Sequence, residues 1–250
     1  MFIRHESFRS FIKFYPIVSG LIAIHVLLFV IINLFPFGNV VLYWGVGQNG
    51  LISEGEYWRL VTPIFLHASF GHVLFNSFSL YLFGPALEQM VGKIRFLISY
   101  LAMGIIANLA TYWLEEPFYT QLGASGAIYG LFGIYIYMII NRSELIDRMN
   151  AQIVLTILVI GLIMTFVTPN INILAHLFGF ISGAVIAPLV LIGAKRYTPV
   201  IEFQRTRDHD EISFNPDRWK KRRLNRNTGK KVVWSLLILL AVVGLLIRLF

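Results

Sequence analysis

Seven runs of mostly apolar residues divide this chain, at about 16–36, 70–90, 94–114, 124–141, 151–168, 172–194 and 232–250. A helix rises 1.5 Å per residue, so about 20 apolar residues cross the hydrocarbon core of a bilayer. In that solvent every backbone N–H and C=O must be paired within the protein, which leaves helices or closed barrels. No alternating ten-residue strand pattern is present. The expected class is therefore an all-α polytopic membrane protein: a six-helix bundle with an additional C-terminal transmembrane helix. Composition agrees, with 57% hydrophobic and 14% charged residues where soluble domains are about a quarter charged.

The expected organisation is an interfacial N-terminus at 1–15, a six-helix core at 16–195, a basic linker at 196–231 and a seventh spanning helix at 232–250. Phe8, Phe11, Ile12 and Tyr15 recur at helical spacing among Arg4, Arg9 and Lys13, as in an amphipathic interfacial helix. The first apolar run is too long for the core of a signal peptide and no small-x-small cleavage site follows it, so it reads as a retained anchor. No cysteine is present, which excludes disulfides, thiol nucleophiles and thiolate-bound metals.

Lys and Arg accumulate on the cytoplasmic side of membrane proteins. If seven helices alternate, nineteen of the 21 basic residues share one side and only Arg59 and Arg248 lie on the other. The expected topology has a cytoplasmic N-terminus and an external C-terminus in the plasma (cytoplasmic) membrane. The net charge of +8 comes largely from the linker, where residues 218–231 are expected to meet anionic lipid headgroups. Nucleic acid is not an expected partner.

On this topology the second, fourth and sixth segments enter from the same, outer side. His72, Asn76, Ser125 and His176 each fall within about the first two turns of those segments, a few to about 10 Å deep. Polar groups inside a membrane are costly and face the bundle interior or a water-filled cavity. Ser125 has the chemistry of a nucleophile, but a hydroxyl is weak until a base takes its proton. His176, at matching depth, is the candidate base and later acid. No Asp or Glu lies in an outer half-helix, so the residues support a Ser–His dyad rather than a triad.

The first-turn amide of Ser125 is a candidate oxyanion donor. His72 and Asn76, at i and i+4 on one face, are candidates to join it. Tyr129, one turn beyond Ser125, is placed to pack on the imidazole. Gly123 and Gly126 bracket the serine. The pairs Gly126/Gly130 and Gly179/Gly183 give the fourth and sixth segments small faces for close approach. Asn108 and Thr165 read as interhelical hydrogen-bond donors, and His25 as structural.

The ordered set of motifs resembles the rhomboid family of intramembrane serine proteases. It runs through Glu56-Tyr57-Trp58-Arg59, His67, His72-x-x-x-Asn76, Glu88-x-x-x-Gly92, Gly123-x-Ser125-Gly126 and Ala175-His176-x-x-Gly179, covering about residues 56–183. The resemblance implies a rhomboid-like bundle in which Ser125 is the nucleophile and His176 the base. It implies an oxyanion site of His72, Asn76 and the Ser125 amide, with Tyr129 stacked on the histidine and His67 in support. It further implies cleavage of single-span or polytopic membrane-protein substrates at or near the outer end of their span, with no cofactor. Trp58 and Arg59 then belong to a structural outer loop partly embedded beside the first helix.

Two other functions remain open on the sequence. A catalytically silent rhomboid-like protein would bind membrane proteins without cutting them. A transporter would use the polar layer as a solute site, although no repeat relates the halves of the chain. A zinc protease is disfavoured, because His67 and His72 are five apart and no Glu follows His67; no metal is expected.

Overall fold

A computed structural model describes residues 1–4 and 6–199. Nearly all of the 196–231 linker and the whole of the expected seventh helix lie outside the described residues.

Six long helices occupy the first six apolar segments: α2 (Pro16–Leu34), α5 (Phe70–Val91), α6 (Lys93–Leu114), α7 (Ser125–Asn141), α8 (Arg148–Val167) and α9 (Ile173–Val190). α1 (Phe8–Phe14) precedes them, and α3 (Gly38–Gly45) and α4 (Asn49–Ser53) lie between α2 and α5. Among the described residues, α2, α6, α8 and α9 are each long and apolar enough to cross a membrane. α5 is diluted by His72, Asn76, Ser77 and Glu88, and α7 has only 17 residues. α7 is nonetheless the central helix. Every residue from Gly126 to Tyr135 is buried, as expected of a helix that is apolar all round.

Glycine sets how closely α7 and α9 meet. A Cβ on Gly179 would collide with the Gly126 carbonyl, and one on Gly183 with the Gly130 carbonyl. The register therefore pairs 126 with 179 and 130 with 183, so the two helices run parallel and begin at the same end. α5 begins there too, because a Cβ on Gly123, just ahead of α7, would strike the His72 ring. α8 is attached more thinly, since its buried residues Asn150, Val154, Leu158 and Thr165 make a single stripe.

The opposite end of the bundle is closed by polar side chains. Glu88 of α5, almost fully buried, accepts hydrogen bonds from the Ile17 (3.0 Å) and Val18 (2.9 Å) amides. A carboxylate there satisfies first-turn donors and complements the helix dipole. Pro16 opens α2 and has no N–H to satisfy. Pro85 stands inside α5 and so cannot bond the Tyr81 carbonyl one turn back. Arg4 donates to that carbonyl instead (2.7 Å) and to the Leu82 carbonyl (3.2 Å). Gly92, at φ +87°, turns the chain from α5 directly into α6.

The N-terminal segment differs in part from its expected interfacial character. Phe11 and Tyr15 join the core, whereas Phe8 and Ile12 stay exposed. Arg4 lies over the Phe11, Tyr15 and Tyr81 rings, and the Phe2 amide donates to Asn150 of α8 (3.3 Å). Only half of the apolar stripe is left to face lipid.

Candidate active site

Between α2 and α5 the chain makes a loop whose centre is Arg59, 0% exposed. Its Nε donates to Glu56 (2.5 Å), and its Nη1 to the Tyr43 and Val46 carbonyls (both 2.7 Å). The Thr62 hydroxyl donates to the Gly45 carbonyl (2.7 Å) and Trp58 Nε1 to the Trp44 carbonyl (3.1 Å). The Trp58-Arg59 pair is thus the scaffold of this loop. Two short strands, β1 (Gly47–Gln48) and β2 (Thr120–Gln121), pair antiparallel and tie the loop to the segment entering α7. The Gly123 amide then donates to the Pro63 carbonyl (2.8 Å). Asn108 donates to the Leu60 carbonyl (2.9 Å), so its partner is this loop rather than another helix.

Ser125 opens α7, whose first ladder bond runs from the Ile128 amide to the Ala124 carbonyl. The Ser125 amide therefore lies ahead of the helical ladder. Gly123 adopts φ +125°, a conformation open to glycine and strained for other residues. Its would-be Cβ lies 2.5 Å from His72 Nε2 and 3.6 Å from Asn76 Nδ2. His72 and Asn76 thus stand against the backbone two residues ahead of Ser125. Asn76 Nδ2 is buried without an acceptor among the described residues. Leaving a buried donor unpaired costs about 1–3 kcal/mol, so its persistence is informative.

His176 sits in the first turn of α9, one turn before Gly179. Since Gly179 is seated on Gly126, the helix contact brings the ends bearing Ser125 and His176 together. Tyr129 stacks on the His176 ring at 4.2 Å between centroids and 15° between planes. Thr165 of α8 bonds His176 Nδ1 (2.8 Å) and the Tyr129 hydroxyl (2.8 Å). Thr165 thus engages one of the two ring nitrogens of His176.

His67 is buried behind His72, with ring centroids 5.0 Å apart, and it meets the fully buried His25 at 4.9 Å. The three rings pack as a row. Among the described residues no group of His, Asp and Glu is arranged to hold a metal ion.

Asn172 is a site-supporting residue that sequence reasoning missed. Its Oδ1 caps α9 by accepting from the Ala175 amide (2.8 Å). Its Nδ2 donates to Thr111 of α6 (3.0 Å) and to Gln121 (3.0 Å). Asn immediately before an apolar helix is a recognisable cap signal; its two lateral bonds carry no such signature. Asn172→Ala is expected to cost about 1–2 kcal/mol of stability and to lower activity by loosening the turn that carries His176. A thermal melt and a cleavage assay of the purified variant check both.

The fold and this cluster define a multi-pass, all-α membrane protein with a polar site at one end of its bundle. The Rhomboid domain family matches residues 54–193, more than half of the chain. YdcA of Bacillus subtilis (strain 168) is 48% identical over 185 residues, which cover 73% of this chain and 92% of YdcA. The rhomboid protease GluP of the same organism is 38% identical over 56% of this chain and 27% of GluP. Rhomboid-like protease 1 of Toxoplasma gondii is 34% identical over 60% of this chain and 53% of its own length. The chain belongs to the rhomboid family, and its kinship with named rhomboid proteases supports protease activity.

Proposed function

We propose that this protein is an intramembrane serine endopeptidase in which Ser125 attacks the scissile carbonyl and His176 is the general base. The observation that carries the reading is the parallel seating of α7 on α9 through Gly126 and Gly179. It supports a short reach from the serine to a histidine whose other nitrogen is already bonded. His176 takes the Ser125 proton as the Oγ–C bond forms, then gives it to the leaving nitrogen as the C–N bond breaks. Water hydrolyses the acyl-enzyme with the same base. The Ser125 amide, Asn76 Nδ2 and His72 stabilise the oxyanion.

The substrates are membrane-anchored proteins, cut at or near the outer end of their span. A helical peptide bond is shielded by its own turn, so helix-breaking Gly or Pro near that end favours cleavage. The topology has a cytoplasmic N-terminus, and basic residues 218–231 meet anionic headgroups on that side. No cofactor takes part. The test is cleavage of a tagged single-span substrate in liposomes by the wild type, Ser125→Ala and His176→Ala. Product from the wild type alone is expected. Product from Ser125→Ala at the wild-type rate overturns the assignment.

A further inference from the structure

The contacts of Thr165 impose a proton count. Its hydroxyl oxygen has three neighbours at 2.8 Å: the Gly161 carbonyl, the Tyr129 hydroxyl and His176 Nδ1. Each contact at that distance needs one hydrogen between its heavy atoms, because two lone pairs so close repel. A hydroxyl supplies one hydrogen and two acceptor lone pairs. The Gly161 carbonyl has no hydrogen to offer, so the Thr165 hydrogen goes there. Tyr129 must then donate to Thr165, and Nδ1 must also donate. A neutral imidazole carries one N–H, so with Nδ1 protonated its Nε2 is a free acceptor.

We infer that Thr165 is a positioning residue that holds His176 in the Nδ1–H tautomer and so presents an unprotonated Nε2 to Ser125. The role is the one an Asp plays in a serine-protease triad, which fixes the tautomer and steadies the imidazolium. Here a neutral hydroxyl performs it, suited to a depth where a carboxylate would be costly. During acylation the Ser125 proton moves to Nε2 and then to the leaving nitrogen, while the Nδ1 proton stays on its bond to Thr165. The inference rests on the reading of His176 as the base.

The surroundings fit the role. Thr165 is 3% exposed. Gly161, one turn earlier on α8, has no side chain where a Cβ would stand 2.9 Å from the Tyr129 hydroxyl. That gap lets Tyr129 reach Thr165 while its ring stays flat on His176. Thr165 is the last buried residue along α8, so the position of α8 and the state of the base are linked through its hydroxyl.

The test compares wild type, Thr165→Ser, Thr165→Val and Ser125→Ala, each full length in detergent or liposomes. Substrate cleavage and the rate of labelling by a fluorophosphonate are followed together. Thr165→Val keeps the volume and removes the hydroxyl. It is expected to lose about 10- to 100-fold in both rates, the usual effect of removing a residue that orients a reacting group. Thr165→Ser restores the hydroxyl and is expected within about 3-fold of wild type. In ¹⁵N-histidine spectra, with His176 assigned by its loss in His176→Asn, the wild type is expected to show a protonated Nδ1. Thr165→Val is expected to show Nε2–H or a mixture.

Wild-type rates in Thr165→Val overturn the inference, as does a neutral His176 with its proton on Nε2 in the wild type. A Thr165→Val protein that fails to fold leaves the decision to Thr165→Ser and the wild-type spectrum. If the wild type itself neither cleaves nor labels, the functional reading fails, and the spectrum still decides the tautomer.

Discussion

Ser125→Ala is expected to reduce cleavage at least about 10⁴-fold, to the residual rate that oxyanion donors and substrate binding supply. Among the described residues no other hydroxyl is set at the start of α7, where the first-turn amides and the Gly123–His72–Asn76 cluster converge. Loss of a nucleophile leaves only the oxyanion donors and substrate binding, which cannot by themselves open a peptide bond at a useful rate. The variant should melt within a few degrees of wild type, since Ser125 makes no described side-chain bond on which the packing depends and Ala is a good helix former. Activity and stability are thereby separated. An inactive Ser125→Ala with an unchanged melt points to chemistry, whereas a lowered melt would make the inactivity uninformative.

The second large effect lies two turns deeper. Gly183→Val is expected to destabilise the protein by about 3 kcal/mol or more, a fall of roughly 6–12 °C in the unfolding midpoint. A side chain at Gly183 meets the Gly130 backbone carbonyl, which cannot rotate aside as a side chain would. Helices in lipid gain little from hydrophobic association and depend on close packing, so α7 and α9 lose their contact when forced apart. Gly20→Ala is the control, because among the described residues nothing lies within 4 Å of its would-be Cβ on α2. That change should be neutral or slightly stabilising, since Gly is the poorer helix former. Thermal unfolding of the two variants in one detergent checks the contrast. The Gly183 change should also lower activity, by separating the helices that carry Ser125 and His176.

Helix placement was largely legible in the sequence. Apolar length alone predicts a span at 70–90 and the structure has α5 at Phe70–Val91; likewise 94–114 becomes Lys93–Leu114. Legibility ended where the partner was remote. The small faces of Gly126/Gly130 and Gly179/Gly183 announce close packing, yet only the folded bundle pairs 126 with 179. Pro85 signals a lost hydrogen bond, but that Arg4 answers it across about 80 residues has no local signature. The resemblance marks Trp58 and Arg59 as part of a structural loop, while the fold of that loop depends on two backbone carbonyls that accept from Arg59 and on β1–β2 pairing, spread over residues 43–121.

For the candidate site, spacing and rise per residue predict the common depth of His72, Asn76, Ser125 and His176. Periodicity likewise puts Tyr129 on the face of Ser125. Thr165 reads only as an interhelical donor. Its place between Tyr129 and His176 depends on the absent side chain of Gly161 and on how α8 lies across α7 and α9, which no spacing rule encodes.

The central claim is that Ser125 is a nucleophile activated by His176. Its most direct test is mass mapping of a fluorophosphonate adduct on the full-length protein in liposomes, for wild type and His176→Ala. The account predicts one adduct, on the peptide containing Ser125, formed at least about 100-fold more slowly without His176. An adduct on a different residue, or an undiminished rate in His176→Ala, would contradict it.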